Sequence, residues 1–336
     1  MKLIIHNFNL QLKHPFTLSR GTRTEIPSLI IELKHNNESG YGEATANPYY
    51  NTSLQKFNSV LQSKKSLVEI DFGFLPEDYW AYLFPNFKNN LFLLCALDIA
   101  YYDLYTKIKN IPLYKYWGLQ INSLPLSNFT IGIDSVENMI LKIKETQAPI
   151  YKIKLGTNND LQLIKELRKH TNAIFRIDAN CGWTVDETIK NSKTLKKLDV
   201  EFIEQPLPAD DWEGNKEVFY KSHLPIIADE SCITEQDIKK CNNFFHGVNI
   251  KVMKCGGLTP AVKMIEKAKN LGLKTMVGCM TESSVGISAI AHLAPLLDFA
   301  DFDGALLLKN DPAVGVDIVN GKIHFTKNHG SGAKLK

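Results

Sequence analysis

Long apolar runs are missing from this chain. No uninterrupted apolar stretch approaches the ~18 residues a membrane span needs, so no membrane partner is expected. The first dozen residues mix apolar and polar side chains without a long apolar h-region, and no signal peptide is expected. Excess charge of one sign is missing too. The 39 Lys and Arg against 36 Asp and Glu leave only +3, and the basic residues are scattered rather than clustered. That disfavours a nucleic-acid partner. Cysteine is sparse: Cys95, Cys181, Cys232, Cys241, Cys255 and Cys279 form no Cys-x-x-Cys pair. Most of them lie in apolar surroundings, as reduced, buried thiols of a cytoplasmic protein do. No Gly-x-Gly-x-x-Gly follows a strand, which disfavours a dinucleotide fold.

What is present is enough apolar material for a packed core: 44% of 336 residues are hydrophobic, which suits one large barrel or two ordinary domains. Leu3–Leu12 and Ser28–Lys34 read as strands by alternation, and Gly40–Ala44 as a turn into a third. Between the first two lies a polar loop, Thr17–Thr24, with Arg20 and Arg23. Asn90–Ile108 carries Leu94, Leu97, Tyr101, Leu104 and Ile108 at helical spacing, a core-facing stripe. Strands followed by helices suggest an α+β unit.

From about Asn128 the rhythm becomes strand, loop, helix. The expected strands are Phe129–Ile133, Ile150–Leu155, Ile174–Asp178, Val200–Glu204, Pro225–Asp229, Val248–Val252, Thr275–Cys279 and Phe299–Asp303. Eight parallel β/α units favour a barrel over an open sheet. The tail leaves this rhythm: Val316–Val319 and Lys322–Phe325 flank Asn320-Gly321 as a hairpin, expected to pack on the first domain.

Chemistry in such a barrel sits at the C-terminal strand ends. The second strand carries Lys152 and Lys154, which share a face about 6–7 Å apart. Alone, Lys-x-Lys is an ordinary solvated face; as a buried pair, each ammonium disfavours the other's protonation and makes a better base near neutral pH. Asp178, Glu204 and Asp229 end the next three strands, at spacings of 26 and 25 residues. A single strand-end acid is ordinarily a loop cap. Three in register converge, repel and call for a hard divalent cation, Mg²⁺ rather than zinc. Asn180, two beyond Asp178, suits support of that shell, and Glu230 points away from Asp229 if the strand persists. On the sixth strand, phase favours Lys251 facing inward and Lys254 outward. A metal flanked by opposed lysines is suited to 1,1-proton transfer at a carbon acid through an enediolate.

The ordered set Lys152/Lys154, Asp178, Glu204, Asp229 and Asn249-Ile250-Lys251 resembles the enolase superfamily, in its muconate-lactonizing-enzyme-like subgroup, over essentially the whole chain. The resemblance implies a (β/α)7β modified TIM barrel, residues 121–310, under an N-terminal α+β capping domain, residues 1–120, completed by 311–336. It further implies one Mg²⁺ on the three acids, Lys154 and Lys251 as the acid/base pair, and Lys152 tuning Lys154. The subgroup contains cycloisomerases, o-succinylbenzoate synthases, N-acylamino acid racemases and dipeptide epimerases. Asp301 and Asp303 choose among them. They share a face of the eighth strand, and an Asp-x-Asp there holds the substrate's α-ammonium in dipeptide epimerases. Cys279, Met280, Thr281 and Glu282 resemble the seventh-strand end of those epimerases. The expected substrate is therefore an L-Ala-Xaa-type dipeptide, with Xaa glutamate or small and hydrophobic. Arg20 and Arg23 occupy the loop that serves a glutamate side chain, but the local sequence does not fit the Ala-Glu pattern without a shift. A homo-oligomer is expected. The rivals are a metal-independent binding module, which needs no opposed lysines, and a barrel hydrolase, which would want histidines; none of the nine falls at these strand ends.

Overall fold

The computed structural model describes residues 1–18, 21–157 and 159–336. Three antiparallel strands open the chain: β1 (Lys2–Leu18), β2 (Gly21–His35) and β3 (Glu38–Thr45), paired in sequence order. Most of the expected arginine loop is strand, with Phe16 opposite Arg23 and Thr17 opposite Thr22 after a register shift beyond Gln11. Turn composition suggests a loop, but the ladder continues through the described residues because β1 is held by other parts of the chain. Ile133 donates to the Thr17 carbonyl at 2.9 Å, and Lys309 to that of Gln11 at 2.7 Å.

The sheet lies on the helix Leu91–Ile108, of which 14 of 18 residues are buried. That helix has no solvated face, because it is held between the sheet and the barrel. Gly40 and Gly42 make the close approach possible: a Cβ on either would fall about 2 Å from the carbonyl oxygen of Ala100 or Ala96. Two carboxylates then tie this layer to barrel helices at their N-termini. Asp98 accepts from Thr259 N and Oγ1 at 3.0 and 2.9 Å at the start of Leu258–Asn270. Glu43 accepts from Ser283 and Gly286 at the start of Ser284–Ala291.

The barrel strands are β4 (Phe129–Ile131), β5 (Ile150–Lys154), β6 (Ile174–Asp178), β7 (Val200–Glu204), β8 (Ile226–Ala228), β9 (Gly247–Ile250), β10 (Lys274–Gly278) and β11 (Phe299–Asp301). They pair parallel in sequence order, and a bridge between Ser127, just ahead of β4, and Ala300 of β11 closes the ring. Helices follow each of the first seven, giving (β/α)7β with the capping layer beside it. Inward residues alternate: Phe202, Ile227 and Met276 with Phe299 form a lower apolar plug, so polar side chains above them lie in a closed-bottom cup. The expected strand ends at β8 and β9 were too long; both stop before Asp229 and Lys251.

In the tail, β13 (Asp317–Val319) and β14 (Lys322–His324) form the expected hairpin, with positive φ at Asn320 and Gly321. The hairpin turn rests on the barrel, Ser127 donating to Gly321 at 2.8 Å. Other parts of the tail reach the capping layer, Ala313 packing with Ile30. Ser331 donates to Asp103 Oδ1, and β12 (Ala313–Val314) pairs with β15 (Lys334–Leu335).

Candidate active site

Strand alternation and register build the site. In β5, Lys152 and Lys154 both point inward, and Lys154 is level with Asp178 of β6, which is level with Glu204 of β7. Asp229 and Lys251 are the first residues past β8 and β9. Oxygens of Asp178, Glu204 and Asp229 lie within 4.8 Å of one another, and all three acids are buried. Lys154 Nζ sits 2.6 Å from Asp178, and Lys251 Nζ 2.8 Å from Asp229, on opposite sides of the triad. Lys152 Nζ reaches Glu204 at 2.8 Å, Asp301 at 3.0 Å and Asp178 at 3.2 Å. Asn249 donates to Glu204 at 2.8 Å, and Gly278 makes room for it: a Cβ there would stand 2.6 Å from the Asn249 amide.

The electrostatics differ from what two adjacent lysines alone suggest. Burial works against the Lys152 ammonium, but Asp301, Glu204 and Asp178 outweigh it and hold its pKa well above the usual lysine value. Burial likewise opposes Lys251, and Asp229 raises it. Asp178, pushed up by burial, is brought down to about 2 by Lys154 and Lys152. Glu204 is pushed up to about 7 by burial and by Asp178. Of the three acids, Glu204 is thus the one whose charge the lysines compensate least. An all-oxygen, buried set of three carboxylates fits a hard divalent cation of the Mg²⁺ type. Asn180 fits the same surroundings. Its N–H donates to Asp178 Oδ1 at 3.0 Å, and its buried Oδ1 has no hydrogen-bond partner among the described residues.

A cavity of about 350 Å³ lies above the triad. Lys152, Lys154, Lys251, Asn180 and Glu230 form its base. Asp301, Asp303, Cys279, Met280 and Thr281 form one wall, and Phe16, Arg23, Ile26 and Tyr50 of the capping layer cover it. Asp303 is held by the Thr130 N–H, and burial together with the charge of Asp301 pushes its carboxyl up to about 7. Burial pushes Asp301 up as well, but Lys152 prevails and keeps it below the ordinary value. Arg23 lines the cavity and donates to Asn47 Oδ1 at 3.2 Å. Arg20 lies outside the described residues.

Three placements differ from the strand-phase reading. Glu230 does not turn away: β8 stops at Ala228, alternation ends with it, and Glu230 lines the cavity. Lys254 does not point outward. A short helix, Val252–Cys255, starts right after Lys251, so three residues on is almost a full turn and both lysines reach Asp229. Lys254 Nζ lies 2.6 Å from Asp229 Oδ1 and donates to the carbonyls of Asp229 and Cys232, all three of its N–H groups engaged. Glu282 is buried, accepts from the Met280 N–H at 2.9 Å and is not among the described cavity walls. Asn128, Thr130 and Tyr50 went unnoticed in the sequence. The first two could have been found from the same two-residue alternation on the first barrel strand; Tyr50, in a 3-10 turn, carries no local signal.

Residues 136–336 match the model of the enolase C-terminal domain-like family. The chain is 56% identical, over all of both chains, to an L-Ala-D/L-amino acid epimerase of Flavobacterium johnsoniae. Its fold is similar to that of the substrate-liganded L-Ala-D/L-Glu epimerase from Bacillus subtilis, with a TM-score of 0.93 and 27% identity over 99% of each chain. It is also similar to a dipeptide epimerase from Cytophaga hutchinsonii complexed with Mg and D-Ala-L-Val. There the TM-score is 0.92 and the identity 25%, covering 99% of this chain and 95% of that one.

Proposed function

Since this chain belongs to the enolase C-terminal domain-like family, we propose that it is an Mg²⁺-dependent dipeptide epimerase, acting on L-Ala-Xaa-type dipeptides. The observation that carries the reading is the pair of lysines, Lys154 and Lys251, set on opposite flanks of one buried carboxylate triad beneath a cavity of dipeptide size. Bound Mg²⁺, held by Asp178, Glu204 and Asp229, would supply the positive charge that stabilises the carboxylate of the substrate as its α-proton leaves. Lys154 and Lys251 face the two sides of the α-carbon of the C-terminal residue. One, as the free amine, takes the proton; the other, as the ammonium, delivers a proton to the opposite face, inverting the centre. Lys152, committed to three acids, stays charged and serves as a fixed counter-ion rather than as a base.

The acid pair argues for a dipeptide over an N-acyl amino acid, because Asp301 and Asp303 present negative charge where the substrate has either an ammonium or an uncharged acyl group. The apolar cover, Phe16, Ile26 and Tyr50, supports a side chain Xaa beyond glutamate, with Arg23 in reach of an acidic one. This reading divides the chain into a capping unit, 1–120 with 311–336, and a barrel, 121–310. We take the protein to act in the cytoplasm as a homo-oligomer. Sparse cysteines, four of the six buried, support the first, and the exposed apolar group Phe74, Leu75, Tyr82 and Phe84 the second. No helix among the described residues is long and apolar enough to cross a membrane.

The test is a screen of dipeptide mixtures in deuterated water with Mg²⁺. L-Ala-Xaa dipeptides should gain one mass unit; no mass gain in any dipeptide would refute the assignment. A second expectation concerns pH. Below about 7 Asp303 carries its proton and attracts the ammonium weakly; above it the carboxylate is ionised. The dipeptide's own ammonium persists to about pH 8. KM should therefore fall several-fold, on the order of fivefold, from pH 6 to 7.5, and Asp303→Asn should flatten this profile. A KM in the parent enzyme that does not move with pH would contradict it.

A further inference from the structure

The barrel closes weakly at one place. Between β11 and β4 the only bridge among the described residues is Ser127 with Ala300, together with a long Asn128 N–H to Ala300 contact of 3.4 Å. Beyond that point the usual ladder is replaced by bonds involving the acid pair. Phe302 N donates to Ser127 Oγ at 2.8 Å, Asn128 Nδ2 donates to Asp301 Oδ1 at 2.7 Å, and the Thr130 N–H donates to Asp303. Alternate residues of the first strand thus hold alternate residues of the last.

Asn128 is itself held from behind. Arg176 lies inside the barrel, 2% exposed, over the touching rings of Phe202 and Phe299. It donates to Asn128 Oδ1 at 3.2 Å, to the Ala300 carbonyl at 2.9 Å and to Glu201 at 2.7 Å. A guanidinium offers donors only, so it fixes which way the amide faces: oxygen to Arg176, NH₂ to Asp301. The other Asp301 oxygen receives Lys152 at 3.0 Å. Two donors from two strands thereby set both the position and the rotation of this carboxylate, as precise recognition of a small cation requires.

Building on the epimerase reading, we propose that Asn128, oriented by Arg176, is the positioning residue that aims Asp301 at the α-ammonium of the dipeptide, and so a determinant of substrate affinity. It touches neither the lysines of proton transfer nor the metal-binding acids, so its loss should act on uniform binding: KM rises and kcat stays. A charge-assisted hydrogen bond at a buried acid is worth about a tenfold change or more in affinity.

The experiment compares Asn128→Leu and Asn128→Asp with the parent enzyme on one L-Ala-Xaa dipeptide. It follows kcat, KM and, by calorimetry, Mg²⁺ affinity. Asn128→Asp keeps an acceptor for Arg176 and should fold even if Asn128→Leu does not; it sets a second carboxylate against Asp301. The expected result for each folded variant is a KM raised about tenfold or more, with kcat and Mg²⁺ affinity close to those of the parent. An unchanged KM overturns the proposal. So does a joint loss of kcat and Mg²⁺ affinity, which marks a general loosening of the barrel. A parent enzyme that exchanges no α-proton refutes the epimerase reading first, and the proposal with it; a parent that does, beside variants of unchanged KM, refutes the proposal alone.

Discussion

Alanine at Lys154 or at Lys251 lowers epimerisation by about a thousandfold or more while the fold persists, the size expected when a positioned acid or base is lost. The two losses should differ in one respect. Lys154 sits on Asp178 and Lys251 on Asp229, with β6, β7 and β8 between their strands, so each approaches a different side of the substrate. Without Lys154, the isomer whose α-hydrogen faces Lys251 can still surrender it to solvent, and the reverse holds without Lys251. In deuterated water each variant should then wash hydrogen out of one diastereomer only, without inverting it. The measurement is mass gain on each pure diastereomer, beside circular dichroism of the variants. If both variants invert dipeptides at the parent rate, two-base transfer is wrong. If both lose exchange on both diastereomers, the lysines are not independent bases.

The second large effect is removal of the metal. Chelation should abolish turnover, and added Mg²⁺ should restore it. The variant matters here, because the three acids also hold lysines. Asp229 is the counter-ion of both Lys251 and Lys254, and Asp229→Asn leaves two buried ammonium groups short of charge. Breaking such a pair costs on the order of 3–5 kcal/mol, so this variant should melt earlier even without metal. Glu204 is different. Its Lys152 keeps Asp301 and Asp178, and Asn249 can still donate to an amide oxygen. Glu204→Gln should therefore keep the metal-free melting temperature near that of the parent. Its Mg²⁺ affinity should fall by about a hundredfold or more, beyond the ~10–100-fold typical for residues that only support a ligand. A Glu204→Gln protein that binds Mg²⁺ as tightly as the parent, by calorimetry, would remove Glu204 from the metal site.

Much of this site could be read along the chain. Strand side chains alternate with period two and each β/α unit recurs about every 25 residues, so Lys152, Lys154, Asp178 and Glu204 face inward by local geometry alone. Asp229, Lys251, Asp301 and Asp303 follow at or just past the ends of later strands. The eight strands, the Asn-Gly hairpin and the separate opening sheet rest on the same short-range periodicities. The tertiary structure decided what depends on where each element stops and on what packs beside it. Glu230 enters the cavity because β8 ends two residues earlier, and Lys254 reaches Asp229 because a helix begins at Val252. Glu282 accepts from the Met280 N–H and does not line the cavity, and Arg23 belongs to a strand because β1 beside it is held by Ile133 and Lys309. The charge state of the lysines was decided there too. Along the chain, Lys152 has only Lys154 as a charged neighbour; in space it has Asp178, Glu204 and Asp301. Alternation is a property of a few adjacent residues. Termination, cover and electrostatic balance are set by atoms far apart in sequence, which only the closed barrel brings together.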